Sequence, residues 1–252
     1  MDQMFVRSAA LSAGFAVLAV AGTVRSATAQ HQVTAAFAIT DPRGEFDANT
    51  DTGYGFTGTY LYTLDRQRIL GVGVTGLVQS YGRTRRRAAL SPTIPELRVD
   101  VETTNNTGVI QGLVQLKAPT GPVQPYLQAT GGFGWFFTRT SLRDPFTDQT
   151  VLSDTNQSDG TWIWGGGGGL LVRVYEGEPR PAVDARGRVL GPGRDPVRAY
   201  LDFGAGALRG DEVEYLTEGT LVTDEGELDI DRRLVESEIE AVQYQIGLTV
   251  EF

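Results

Sequence analysis

Apolar and polar residues alternate with a period of two along most of the chain, the signature of strands that are wet on one face and apolar on the other. The clearest stretch is the last one: Val242, Tyr244, Ile246, Leu248, Val250 and Phe252 alternate with Gln243, Gln245, Gly247, Thr249 and Glu251. Read backwards, Val197, Ala199, Leu201, Phe203, Ala205 and Ala207 alternate with Arg198, Tyr200, Asp202, Gly204 and Gly206. Trp162, Trp164, Leu170, Val172 and Val174 share one face, with Gly165, Gly167, Gly169 and Arg173 on the other. The same pattern sets Leu127, Ala129, Phe133, Trp135 and Phe137 against Gln128, Thr130, Gly132, Gly134 and Thr138, and Ile110, Val114 and Leu116 against Gln111, Gln115 and Lys117. It continues with Leu70, Val72, Val74 and Val78 against Gly71, Gly73, Thr75 and Gln79, then Tyr54, Phe56, Tyr60, Tyr62 and Leu64 against Gly55, Thr57, Thr59 and Thr63. Val33, Phe37 and Ile39 against Thr34, Ala36, Ala38 and Thr40 complete a set of eight strands.

The connections predict how these strands are joined. Short links at Asp65 to Arg68 and Ala118 to Val123 alternate with long polar ones at Asp41 to Thr52, Arg83 to Asn106, Arg143 to Gly160 and Arg209 to Glu240. An up-and-down barrel in an outer membrane has this rhythm, with short periplasmic turns and long external loops. Tyr175 to Pro196 breaks it: a turn is due there, yet the segment runs to 22 residues rich in Pro, Gly and charge. It reads as an insertion or as an error in the strand count.

Which face meets which solvent follows from the residue types. The polar face is mostly Gly, Thr, Ala and Gln; a water-exposed sheet would carry more Lys and Glu, whereas a crowded eight-stranded lumen suits small residues. The aromatics Tyr54, Tyr60, Tyr62, Trp135, Phe137, Trp162, Trp164 and Phe252 fall toward strand ends, as interfacial girdles do. The predicted fold is therefore all-β: an eight-stranded antiparallel up-and-down transmembrane β-barrel with its apolar face outward.

Composition narrows the chemistry. The 252 residues include 32 glycines, about twice the average share, with no cysteine and one histidine. Disulfide frameworks, thiol nucleophiles and multi-histidine metal sites are excluded. A hydrophobic fraction of 40% is too polar for a bundle of membrane helices, and the net charge of −9 argues against a nucleic-acid binder.

The first thirty residues stand apart. Arg7 closes a short n-region, an apolar run follows from Ala9 to Val24, and Ala27-Thr28-Ala29 is a small-x-small cleavage tripeptide. The run is shorter than the roughly 20 residues a spanning helix needs, so residues 1–29 are expected to be a secretory signal peptide, cut before Gln30. Residues 30–252 would then form the barrel domain in the cell outer membrane.

Thr52-Gly-Tyr-Gly-Phe-Thr-Gly-Thr-Tyr, Gln124-Pro-Tyr-Leu-Gln-Ala-Thr-Gly-Gly-Phe-Gly and Ala199-Tyr-Leu-Asp-Phe-Gly-Ala-Gly-Ala carry a resemblance to the small outer-membrane β-barrel family related to the OmpA membrane domain and OmpW. Tyr244, Ile246, Leu248, Val250 and the terminal Phe252 resemble the C-terminal signal that the barrel-assembly machinery recognises in that family. The resemblance implies fold and location and names no substrate.

Candidate chemistry is sparse. Lys117, Arg173, Arg198, Asp202 and Glu251 fall on lumen faces. Charges in a narrow lumen must be paired, which predicts a structural network in which Arg198 and Arg173 meet Asp202 and Glu251. The 209–240 stretch is strongly acidic but lacks the spacing of an EF-hand, so it reads as a solvated surface or a cation site. Arg83, Arg85, Arg86 and Arg87 form the opposite patch, suited to that acidic loop or to lipopolysaccharide phosphates. Gly165 to Gly169 lacks the Lys-Ser/Thr of a phosphate loop and suits close strand packing. His31, next to the cleavage point, is no catalytic base. The expectation is a non-enzymatic, monomeric outer-membrane barrel without cofactor or metal, structural or surface-interacting through its long loops. Its partners would be outer-membrane lipid and lipopolysaccharide. The alternative is a narrow channel or carrier for small or hydrophobic solutes.

Overall fold

A computed structural model describes residues 30–47, 50–91, 94–143, 150–183, 189–216, 221–224, 227–230 and 234–252, with side chains described outside 83–103, 139–158, 180–194 and 213–236. The strands are β1 (His31–Pro42), β2 (Gly53–Thr63), β3 (Leu70–Ser91), β4 (Ile94–Lys117), β5 (Val123–Arg143), β6 (Thr150–Glu176), β7 (Arg180–Val183), β8 (Val189–Arg194), β9 (Arg198–Leu216), β10 (Leu221–Asp224), β11 (Glu227–Ile230) and β12 (Leu234–Glu251), with one short helix α1 (Gly44–Asp47) after β1. Eight of these strands close a barrel in the order β1-β12-β9-β6-β5-β4-β3-β2, each antiparallel to its neighbours. Closure falls between the first and last strands. The His31 N–H donates to the Phe252 carbonyl at 3.1 Å and the Phe252 N–H returns to the His31 carbonyl at 2.9 Å, so both strand ends lie at one mouth, here the terminal mouth.

The barrel is inside-out relative to a water-soluble one. Along β1, Gln32, Thr34, Ala36, Ala38 and Thr40 are buried, while Phe37 points outward. Outward apolar side chains ring the whole circumference: Phe56 is 65% exposed, Val78 65%, Leu127 67%, Leu170 46%, Phe203 42% and Ile246 52%. Every strand of the barrel carries such a face, as the period-two pattern requires.

The links at the terminal mouth are short, residues 64–69 and 118–122, except after β6. There the strands β7 and β8 pair only with each other, as a separate two-stranded hairpin. The eight-strand count holds, and the long Tyr175 to Pro196 link is an insertion.

At the far end the expected long loops need correction. Strands β3, β4, β5 and β6 run for 22, 24, 21 and 27 residues, so the links read at Arg83 to Asn106 and Arg143 to Gly160 are largely strand. Likewise β9 and β12 stay paired out to Leu216 and Leu234, and β10–β11 forms a further hairpin within the 209–240 stretch. Past the apolar belt the sequence no longer alternates apolar and polar residues, while the backbone ladder continues. Register supports the extension, placing Arg85 opposite Glu102 and Arg87 opposite Asp100, cross-strand pairs of opposite charge. Pairing between β6 and β9 stops at Ile163 and Gly210, so the two extensions separate there. The side chains expected to form the basic patch, and most of those of the acidic stretch, lie outside the described ones.

Candidate functional site: the barrel lumen

Three tiers fill the lumen. The lowest, at the terminal mouth, is charged. Lys117, near the end of β4, donates from Nζ to Glu251 Oε1 at 2.5 Å and to Gln32 Oε1 at 3.2 Å. Lys117 and Glu251 are both almost wholly buried. The Tyr200 hydroxyl donates to Glu251 Oε2 at 3.2 Å and accepts from Gln124 Nε2 at 3.4 Å. Arg198 approaches Glu251 at 3.9 Å and binds Glu176 at 2.7 Å, and Arg173 binds the other Glu176 oxygen at 2.9 Å. Arg173 and Glu176 share a face because the register slips between Arg173 and Tyr175, and such a bulge reverses the alternation.

Arg68 closes this tier from below. It lies in the short β2–β3 link with φ of 61°, the one non-glycine of positive φ among the described residues. Its guanidinium pairs with Asp195, at the end of the β7–β8 insertion, and lies 3.8 Å from Glu251. Such a backbone costs of order 1 kcal/mol or more and persists when its surroundings over-determine it. Here the Asp65 carboxylate accepts the N–H groups of Leu70 and Ile69 at 2.8 and 2.9 Å, and the Arg68 N–H donates to the Asp65 carbonyl. The Leu70 N–H, with support from Ile69 and against partial desolvation, holds the Asp65 carboxyl below its ordinary pKa.

Asp202 occupies a separate position. It is 3% exposed and accepts hydrogen bonds from the Tyr126 hydroxyl at 2.9 Å and Gln245 Nε2 at 3.1 Å. Among the described residues no arginine or lysine pairs with it. The structure thus brings Lys117, Arg198 and Glu251 together, attaches Arg173 through Glu176, and leaves Asp202 with neutral donors instead of the expected arginines. Arg68, Glu176 and Asp195 were missed because they lie in links or beyond a bulge, where face alternation gives no guidance. Tyr126 and Tyr200 were legible as lumen-facing positions from their place in the alternation.

The middle tier is polar and uncharged. A cavity of about 50 Å³ is bounded by residues that include Thr57, Thr75, Gln111, Gln128, Thr130 and Gln243. Glycines of β6 and β9 form its wall, and a Cβ at Gly167 would stand 2.4 Å from the Ala205 carbonyl oxygen. The Gly165 to Gly169 run is therefore a packing element of the strand.

The upper tier is apolar. Ala38, Phe46, Leu77, Tyr81, Val109, Phe136, Ile163 and Ile239 form one buried cluster. Phe46 is carried on α1, which turns back over the mouth, and its ring lies 6.5 Å from that of Tyr81 and 6.3 Å from that of Phe136. Such an apolar plug was not read from the sequence. Leu77, Val109, Phe136 and Ile163 fall on the inward parity of their strands, and that parity was the available signal.

His31 is at the rim, on the outer face. Its Nδ1 lies 2.7 Å from the Tyr60 hydroxyl and its ring stacks on Phe252 at 5.9 Å. Among the described residues no group of acidic side chains and histidine has metal-binding geometry.

No protein-family model and no curated protein matches the chain. Solved structures with a related chain course include Neisserial surface protein A, 14% identical, covering 88% of this chain and 96% of that one with a TM-score of 0.40. Another is Ail, the attachment invasion locus protein of Yersinia pestis, 15% identical over 88% and 97% with a TM-score of 0.32. The translocator domain of the autotransporter NalP from Neisseria meningitidis is 11% identical over 98% and 97%, with a TM-score of 0.23.

Proposed function

We propose that the protein is a bacterial outer-membrane β-barrel, exported by residues 1–29, whose closed lumen is a scaffold for the strand extensions at its far end. One observation carries this reading: a complete ring of exposed apolar side chains surrounds a lumen filled by its own side chains. In water, so large an apolar surface would drive association. In a bilayer it meets hydrocarbon, and the closed ladder leaves no barrel edge to be satisfied by water. β1 and β2, of 12 and 11 residues, suit a bilayer crossing, which takes about 9–11 residues per strand.

The terminal mouth then faces the periplasm and the extensions of β3–β6 and β9–β12 face outside. Tyr244, Ile246 and Leu248 are exposed on the outer face, on the parity shared by Val250 and Phe252, which supports reading these five as a C-terminal assembly signal. Lipopolysaccharide and surface molecules are the partners this orientation offers, and the reading includes no catalytic step. Among the described residues the Lys117–Glu251 tier and the Phe46 tier both cross the lumen, which weighs against the narrow-channel alternative.

Membrane fractionation with gel mobility tests the reading. The protein should sediment with outer membranes and run faster unboiled than boiled, and in planar bilayers it should show no reproducible unitary current. Release from cells without detergent would overturn the membrane assignment, and a steady current would overturn the closed lumen.

A further inference from the structure

We propose that Gln30 becomes the first residue of the mature protein and closes on itself to form pyroglutamate, an N-terminal modification site on the barrel seam. The inference rests on the export reading, because it needs cleavage after Ala27-Thr28-Ala29. Cleavage would leave Gln30 with a free α-amine four bonds from Cδ of its own side chain, the spacing that closes a five-membered ring. The α-nitrogen attacks Cδ of the same residue's carboxamide, a C–N bond forms, and the Cδ–Nε2 bond breaks. Ammonia departs carrying a proton from the α-amine. The product is a five-membered lactam, and no oxidant, reductant or cofactor enters the balance.

The geometry around Gln30 accommodates this change. Its backbone carbonyl accepts the Thr63 N–H at 2.8 Å, and its Oε1 accepts the Tyr62 hydroxyl at 2.9 Å. The lactam keeps both carbonyl oxygens as acceptors, and ring closure swings Oε1 toward the backbone nitrogen. The Tyr62 hydroxyl also points at the oxygen that gathers negative charge when the amine attacks, as an oxyanion donor does.

The setting favours an uncharged terminus. A free α-amine, with an ordinary pKa near 7.7–8.0, is largely protonated at neutral pH. Here it would sit one residue before His31, whose backbone closes β1 on β12, with the Tyr62 hydroxyl at the Gln30 side chain. Gln30 is half-buried there, and a neutral lactam avoids the partial desolvation that a charged terminus would bear.

The test uses the full protein in freshly isolated outer membranes, labelled with an amine-reactive reagent before purification and digestion so that cyclisation during those steps is excluded. The expected N-terminal peptide begins at Gln30, carries no label and is lighter by about 17 Da, the mass of ammonia, a covalent change of the kind that removes a terminal charge. A Gln30→Ser protein cut at the same place should be fully labelled, with no mass deficit. A labelled Gln30 of full mass would overturn the proposal while leaving export intact. An N-terminus at any other residue would overturn both the proposal and the assigned cleavage site.

Discussion

The two ends of the lumen are closed by opposite chemistries. At the terminal mouth, Lys117 and Tyr200 hydrogen-bond Glu251, and Arg198 and Arg68 approach the same carboxylate as longer ion pairs. At the far mouth, Phe46, Tyr81, Phe136, Ile163 and Ile239 pack as an apolar cluster. The difference lies in how each responds to loss of one member. An apolar cluster loses the contacts of the missing side chain and the rest stays satisfied. A buried ion pair leaves its survivor charged, desolvated and alone, which costs more than the pair itself contributes.

Removing one partner of the floor pair should therefore have an effect as large as any. Lys117→Met should destabilise the folded barrel by about 3 kcal/mol, the low end for breaking a buried pair, because Glu251 keeps the Tyr200 hydroxyl and the more distant guanidinium groups of Arg68 and Arg198. Adding Glu251→Leu to it should recover most of that loss. Urea unfolding in lipid vesicles measures both, and a double variant no better than the single would remove the distinction between the two ends.

Phe46→Ala should cost about 3 kcal/mol, the low end for a buried phenylalanine on a short surface element. Combined with a truncation elsewhere in the apolar tier, such as Ile239→Ala, it should show no rescue. Recovery there would mean that the upper tier also behaves as a coupled pair.

Adjacent glycines of β5 sharpen the contrast between lumen and lipid faces. A Cβ at Gly132 would stand 2.1 Å from the Ile110 carbonyl oxygen, whereas one at Gly131 meets nothing within 4 Å. Gly132→Ala should destabilise by about 1–3 kcal/mol through overpacking. Gly131→Ala should be neutral or slightly stabilising, because it lowers the entropy of the unfolded chain.

Asp202→Asn should cost about 1 kcal/mol, the net worth of an ordinary hydrogen bond. Its effect should add to that of Arg198→Ala, since no contact joins the two. A clear coupling energy would restore the single network that the sequence suggested.

The smallest effect is at Asp65. Its carboxyl is held below the ordinary value of 3.8, chiefly by the Leu70 N–H. A lowered folded-state pKa stabilises above the unfolded value, and that stability is lost as pH falls through the folded one. Wild type should therefore lose stability on acidification below about pH 4, and Asp65→Asn should lack that component. Parallel acid titrations of the unfolding midpoint check it.

The legible part of the lumen was the part governed by strand parity. Lys117, Asp202 and Glu251 are buried in the lumen and Arg198 reaches toward Glu251, each on the parity its alternation gives. The illegible part depended on where the alternation stops. Glu176 joined the floor because a bulge shifted its face, and Arg68 joined because a strained link aimed it into the mouth. Asp202 faces inward, yet parity does not say which neighbour across the lumen it meets, and it met Tyr126 and Gln245.

By itself the sequence determined an eight-stranded inside-out barrel, because a period of two fixes which side chains share a face and the residue types fix which solvent that face meets. Only the tertiary structure decided the length of the far extensions, the docking of Asp195 under the floor and the apolar plug around Phe46. Those depend on register, on bulges and on contacts between segments distant along the chain. A strand that is wet on both faces, or a residue in a link, leaves no trace in the hydrophobic pattern.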